Sequence, residues 1–96
     1  MAQDLVAAAR EAIYALPEEE TGRKVGELTV VTEVVEMAPG IIKVTFTPLS
    51  AYSPTAVDLG RRIRDAAGKV GGVSKAVVEC KGHMQDDLVN SLVNGV

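Results

Sequence analysis

The stretch IIKVTFTPLSAYSPTAVDLGRRIRDAAGKVGGVSKAVVEC, residues 41–80, decides the fold of this 96-residue chain. Residues 41–47 alternate apolar and polar side chains, which predicts a strand, and residues 74–80 predict another strand with Ala76, Val78 and Cys80 on one face. Between the two strands, apolar residues recur at the three- and four-residue spacing of an amphipathic helix. Two strands joined by a helix are predicted to be parallel, with a right-handed crossover.

The residues before this stretch predict a hairpin and a first helix. Residues 25–37 are rich in Val and Thr, which favours a strand, and the Ala-Pro-Gly of residues 38–40 suits a tight turn into the next strand. Residues 4–16 carry apolar side chains at helical spacing, with Asp4 or Gln3 as the candidate cap.

Two further signals place the second and third helices. Ser53 followed by Pro54 predicts the start of the crossover helix, with the serine hydroxyl as N-cap, and Gly71-Gly72 predicts its end. After a turn over residues 81–84, residues 85–94 predict a last helix with two aspartates in its first turn. The apolar positions of that helix are Leu88, Val89 and Leu92.

The element order is therefore α-β-β-α-β-α. We expect one small α/β domain of the α+β type over residues 1–96, with helices packed on a mixed three-stranded sheet. The length of 96 residues is near the lower end of what folds as one independent domain.

Composition narrows the classes of function. The net charge of −3 and the three aromatic residues argue against binding to nucleic acid, which requires clustered positive charge or stacking side chains. A single cysteine excludes a disulfide within the chain and a four-cysteine metal or cluster site. No run of 18 apolar residues is present, so we expect no membrane span. An acidic N-terminus without the lysines of a signal peptide favours a cytoplasmic location.

The predicted topology brings four polar residues to one edge of the sheet. Thr47 and Cys80 end the two parallel strands, Ser53 opens the helix after the first, and His83 follows the second. Open α/β sheets bind ligands at this edge, so we expect the candidate site there.

Four motifs, in order along the chain, resemble the small iron–sulfur cluster assembly domain family, which is also called PaaD-like or SufT-like. Residues 46–53, FTPLSAYS, resemble its Phe-Thr-Pro-x-x-x-x-Cys segment, and residues 27–33, ELTVVTE, resemble Glu-Leu-x-Val-Val-Ser-Glu of the branch of cytosolic iron–sulfur assembly targeting components. Pro17-Glu18 resembles the end of an Asp-Pro-Glu signature. Residues 82–90, GHMQDDLVN, resemble Gly-Thr-His-x-x-Glu-Glu-x-Ile-Asn without the threonine. The family fold has the same element order.

One departure from the family concerns the signature cysteine. That cysteine stands at the start of the second helix, where the helix N-terminus favours a thiolate, but here the position is Ser53. A serine hydroxyl is a poor ligand for an iron–sulfur cluster, so the cysteine-based role does not transfer to Ser53. Ser53 is either an ordinary N-cap or a degenerate signature position on a working surface.

The lone thiol and the lone histidine each have two interpretations. Cys80 alternates with Ala76 and Val78, which favours a small core residue, but it could instead replace the missing thiol from the neighbouring strand. Cys80 and His83 have a C-x-x-H spacing, which supplies two ligands of a larger metal site. The candidate supporting residues are Thr47, Asp86, Asp87 and Asn90.

The resemblance implies a non-enzymatic accessory or targeting factor in iron–sulfur protein maturation. Its partners would be iron–sulfur assembly proteins and recipient apoproteins. We expect no firmly bound cofactor and at most a transient iron–sulfur cluster or zinc ion, because one thiol cannot hold a cluster alone. The alternatives are a metal-binding protein that uses Cys80 and His83, a small non-catalytic subunit of an oxygenase-type assembly, and a homodimer paired through the edge of the first strand.

Overall fold

The computed structural model describes residues 4–94 and confirms the α/β fold and the element order α-β-β-α-β-α. None of the helices in this part of the chain is long and apolar enough to cross a membrane. The helices and strands are α1 (Leu5–Tyr14), β1 (Val31–Ala38), β2 (Ile41–Phe46), α2 (Ala56–Gly68), β3 (Lys75–Cys80) and α3 (Asp86–Val93), with a short 3-10 helix at Val25–Glu27.

The sheet has the strand order β1-β2-β3 and is mixed, as predicted. β1 pairs antiparallel with β2, and β2 pairs parallel with β3. The β1–β2 turn contains Gly40 with a φ of +80°, a conformation that residues with a side chain rarely adopt. The parallel pair places the carboxyl ends of β2 and β3 at the same edge of the sheet.

The hydrophobic core lies between one face of the sheet and the helices α1 and α2. The sheet contributes the alternate residues of β2 and β3 that were predicted to share a face, and both helices contribute their apolar stripes. The largest buried side chains include Ile13 of α1, Ile42, Val44 and Phe46 of β2, Ile63 of α2, and Val78 of β3.

Asp4 is the N-cap of α1, as predicted. Its Oδ1 atom accepts hydrogen bonds from the backbone N–H of Val6 at 3.0 Å and of Ala7 at 3.2 Å. These bonds satisfy two of the donors that a helix start leaves unpaired. The alternative cap, Gln3, lies outside the described residues.

The prediction of a strand across residues 25–37 is wrong in its first half. Residues 25–27 form the 3-10 helix, and β1 begins only at Val31. Gly26 lies so close to α1 that a Cβ atom there would approach the Cβ atom of Tyr14 to 2.7 Å. The β propensity of Val and Thr is therefore overridden by close packing of this segment against α1.

The bounds of α2 also differ from the prediction. The helix starts at Ala56 with Thr55 as N-cap, so Ser53 does not cap it. It ends at Gly68, before the predicted glycine pair, and Gly72 instead lies in the following turn with a φ of +97°.

The third helix lies beside the free edge of β3 and presents two asparagines to it. The Asn94 amide accepts from the Val78 N–H at 3.1 Å and donates to the Val78 carbonyl at 2.9 Å. Asn90 makes the same pair of bonds with Cys80, one turn earlier in the helix. Four residues of helix rise about 6 Å and two residues of strand about 6.6 Å, so the two amides match alternate strand residues.

This orientation of α3 changes which of its apolar residues are buried. Val89 and Val93 are buried, whereas Leu88 and Leu92 are 51% and 39% exposed. The sequence predicts Leu88, Val89 and Leu92 together as the apolar positions of this helix. The asparagine contacts with β3 rotate the helix so that only Val89 of these three faces the core.

Candidate functional site

The candidate site forms where two loops meet at the carboxyl ends of β2 and β3. The Lys81 N–H donates to the Phe46 carbonyl at 2.9 Å, which extends the parallel pairing by one residue. The Met84 N–H donates to the Ala51 carbonyl at 2.8 Å. These bonds hold the loop after β3 against the loop that leads into α2, so the topology brings the predicted residues to one edge.

His83 joins the two loops through its imidazole ring. Its Nε2 atom lies 3.0 Å from the Ser53 carbonyl oxygen, and its Nδ1 atom lies 3.0 Å from the Gln85 backbone nitrogen. Because the Gln85 N–H donates to Nδ1, the proton of the neutral ring is assigned to Nε2, which donates to Ser53. Both ring nitrogens are therefore occupied, and a metal ion would have to displace one of these bonds.

Asp86 organises the loop between β3 and α3. Its Oδ1 atom accepts from the His83 N–H at 2.7 Å, and its Oδ2 atom accepts from the Gly82 N–H at 3.2 Å. The Cys80 thiol lies 3.8 Å from the same Oδ1 atom. Asp87, the neighbouring predicted residue, is exposed in the first turn of α3.

Cys80 is a buried thiol, only 1% exposed. Burial, the nearby Asp86 charge and the hydrogen bond to Asp86 together raise the pKa of Cys80 to about 12, against a smaller lowering by the His83 N–H. The thiol is therefore protonated at neutral pH, whereas soft metals bind the thiolate. This environment matches the interpretation of Cys80 as a small core residue.

Ser53 has a different partner from the one predicted. Its side chain is 6% exposed, and its hydroxyl donates to Glu20 Oε1 at 2.9 Å. The Thr55 hydroxyl donates to the same oxygen at 3.3 Å. The carboxylate of Glu20, carried on the loop after α1, thus lies over the start of α2 and takes the hydroxyl that was expected to cap the helix.

A buried glutamate in the same loop holds Glu20 in place. Glu18 is 2% exposed, and its carboxylate accepts from the Glu20 N–H at 3.0 Å and from the Thr21 N–H and hydroxyl at 2.7 and 2.8 Å. Burial alone would raise the pKa of Glu18, but these hydrogen bonds and the charge of Arg62 lower it overall. Sequence reasoning did not select Glu18 or Glu20 as site residues, although Pro17-Glu18 carries part of the family resemblance.

Two supporting residues lie at the margins of the site. Thr47 packs beside Gly82, where a Cβ atom would approach the Thr47 Cγ2 atom to 2.9 Å. The side-chain amide of Asn90 bonds to the main chain of Cys80 through the contacts described above, so its observed role is to cover the strand edge.

The two loops and the first turn of α3 also carry exposed apolar side chains. Tyr52 is 73% exposed and Met84 is 63% exposed, and they belong to the two loops joined by the Met84–Ala51 bond. Leu49 in the first loop and Leu88 in the first turn of α3 are 47% and 51% exposed. We call Leu49, Tyr52, Met84 and Leu88 the apolar rim.

The side chains at this edge divide into bonded polar groups and exposed apolar groups. Within residues 4–94, no cluster of three or more His, Cys, Asp or Glu side chains is arranged to hold a metal ion. The polar groups of His83, Asp86 and Ser53 are engaged in bonds that fix the loops. The apolar rim is the part of the site left free to make new contacts.

Comparison with solved structures relates this fold to one known domain. A crystal structure described as a domain of unknown function, DUF59, from Bacillus anthracis superimposes with a TM-score of 0.74 and 18% sequence identity. The match covers 80% of this chain and 74% of that chain. No protein-family model and no curated protein matches the sequence. The structural likeness therefore establishes a shared fold.

Proposed function

We propose that this protein is a non-enzymatic accessory factor in iron–sulfur protein maturation that binds partner proteins through the apolar rim. DUF59 denotes the PaaD/SufT-like domain, so the structural neighbour and the sequence motifs favour the same family. The partners proposed are iron–sulfur assembly proteins and recipient apoproteins in the cytoplasm. Any cluster or zinc ion is cargo that these partners supply.

The observation that carries the proposal is the contrast between the centre and the periphery of the site. The central polar groups are bonded to one another and to the backbone, whereas Tyr52 and Met84 expose most of their side chains. Exposed apolar side chains grouped around one site are typical of protein–protein contacts, and tyrosine and methionine are enriched in them. Internally bonded loops present the apolar rim in a fixed geometry.

The proposal is tested by replacing one methionine of the apolar rim. Affinity capture with Met84→Ser, followed by mass spectrometry, is expected to lose the iron–sulfur assembly and recipient proteins that the parent recovers. The matched control is Met37→Ser on β1, because Met37 is also 63% exposed but lies away from the site. Recovery of no iron–sulfur proteins by the parent, or equal loss in both variants, would contradict the proposal.

A direct titration separates this proposal from the metal-binding alternative. We expect zinc or ferrous iron to bind weakly, because Cys80 is a buried neutral thiol and both nitrogens of His83 are occupied. Micromolar binding that is lost in Cys80→Ala would favour a metal-binding protein instead.

A further inference from the structure

The face of the sheet opposite the core has a regular arrangement of side chains. Strand register aligns them in rows across the sheet, and all but Thr45 are exposed or half-buried. Within residues 4–94, α1 and α2 cover the other face, and α3 bonds to the β3 edge. We call this surface the open face, and it consists of Glu33, Val35 and Met37 on β1, Ile41, Lys43 and Thr45 on β2, and Lys75, Val77 and Glu79 on β3.

Apolar side chains line a hollow of about 450 Å³ on the open face. Met37, Ile41 and Val77 contribute to this hollow, and its polar lining comes from Lys43, Lys75 and Glu79 of the sheet and from Asn90 and Asn94 of α3. Met37 is 63% exposed, the same as Met84 of the apolar rim. The open face is thus a second apolar surface, distinct from the apolar rim.

The charges of the open face are separated along the strands. Glu33 and Glu79 lie in the row of Thr45, near the carboxyl end of β2, whereas Lys75 lies beside Ile41 at the opposite end. Lys43, in the middle row, pairs with Glu79 at 3.1 Å. None of the ion pairs found within residues 4–94 includes Lys75. One end of the face is therefore acidic and the other basic.

We propose that the open face binds a second copy of this chain, with the two sheets stacked face to face. The two-fold axis lies in the plane between the sheets and runs perpendicular to the strands. This axis places the acidic end of each copy over the basic end of the other, so that Lys75 faces the partner subunit's Glu79. A two-fold axis parallel to the strands would instead place Glu33 opposite the partner subunit's Glu79, which is repulsive. Lys43 lies near the axis, and its ion pair with Glu79 offsets its charge.

The open face can pair with its own copy through its charges. A two-fold interface uses the same patch on both copies, and stacked sheets lie about 10 Å apart with their side chains in contact. Nine side chains are fewer than the roughly 20–30 residues per partner of a stable interface. We therefore expect a weak dimer with a dissociation constant on the order of 100 µM.

Charge reversal in sedimentation equilibrium tests both the surface and the direction of the axis. Lys75→Glu and Glu79→Lys are each expected to weaken self-association by about tenfold or more, because like charges then face each other twice in the dimer. An equimolar mixture of the two variants, and the double variant, are expected to restore association because opposite charges face each other again. Lys24→Glu makes the same charge change on the exposed loop before β1 and serves as control.

Several results would overturn this proposal. The parent could remain monomeric up to about 500 µM, five times the expected dissociation constant. Single charge reversals could leave association unchanged, which would indicate another interface such as the β1 edge. Failure of the mixture to associate, with both variants folded by circular dichroism, would exclude the proposed axis.

Met37→Glu, at an exposed position, adds a variant that should disrupt the dimer without disturbing the fold.

Discussion

At the scale of single residues, the sequence leaves two roles open for Cys80, a metal ligand and a core residue, and the structure places it in the core. Its C-x-x-H spacing with His83 suggests metal binding, but the strand that carries it turns the thiol inward and α3 covers the strand edge. Burial then stabilises the neutral thiol. The residue that reaches the start of α2 is Glu20, and it comes from a loop 33 positions earlier in the chain.

The buried thiol predicts slow chemical modification. In the folded protein at pH 8, Cys80 is expected to resist an aromatic disulfide reagent, because it is 1% exposed and its pKa is raised to about 12. Urea-unfolded protein should react completely in the same time. Fast reaction of the folded chain would show that Cys80 is accessible at the site.

The same pKa shift predicts an alkaline loss of stability. The folded pKa lies above the ordinary value of 9.0, so the stabilising contribution is complete below pH 9.0 and is lost as the pH rises toward 12. The difference in unfolding free energy between the parent and Cys80→Ala should shift against the parent by about 2 kcal/mol between pH 7 and about pH 10.5. Urea unfolding at both pH values measures it, and the comparison cancels the titration of tyrosines and lysines.

The lowered pKa of Glu18 predicts a loss of stability at acidic pH. Glu18→Gln is expected to lower the unfolding free energy by about 1–3 kcal/mol at pH 7, because the carboxylate accepts three hydrogen bonds in a buried loop. The folded pKa lies below its ordinary value, so this contribution is present above pH 4.5 and is lost as the pH falls through the folded pKa.

The matched control for Glu18 is Glu11→Gln on the exposed side of α1. Urea unfolding of the parent and both variants at pH 7 and pH 3 provides the comparison. The gap between the parent and Glu18→Gln should narrow at the lower pH. An equal effect of both substitutions would show that the Glu18 loop adds nothing specific to stability.

At the scale of elements, the sequence predicts the strands and helices that have a periodic pattern of apolar residues. It does not predict local structure that depends on contacts with distant parts of the chain. The alternation in β2 and β3 and the stripe of α2 are local patterns, so the order of elements and the parallel crossover follow from them. The 3-10 helix at Val25–Glu27 depends on Gly26 packing against Tyr14, which no local pattern contains. Ser53 was assigned to the helix cap for the same reason, because its actual partner belongs to another loop.

The asparagine pair of α3 predicts a measurable cost to stability. Asn90→Ala is expected to lower the unfolding free energy by about 1–3 kcal/mol, because it removes both partners of the Cys80 backbone groups. Asn94→Ala should act similarly through Val78. Thermal or urea unfolding measures both, with Ser91→Ala on the exposed side of the same helix as control. No difference from the control would show that water replaces the amides without cost.

At the scale of the whole molecule, the fold separates the surface proposed to bind partner proteins from the surface proposed to bind a second copy. The apolar rim lies at one end of the sheet, where the loops after β2 and β3 meet, whereas the open face lies on the broad side opposite the core. Met84 and Met37, equally exposed, report on the two surfaces independently. A variant of one surface should leave the activity of the other intact, so binding to partners and self-association are separable by experiment.

The asparagines on α3 also limit how far the sheet can be extended by strands from other copies of the chain. A sheet with two free edges can add strands on both sides and lengthen without end, as fibres do. Here Asn90 and Asn94 occupy the outward main-chain groups of Cys80 and Val78, so within residues 4–94 β1 is the edge open to another strand. Strand addition between copies at this edge therefore stops at a pair, and the helix that closes β3 keeps the sheet itself from lengthening copy by copy.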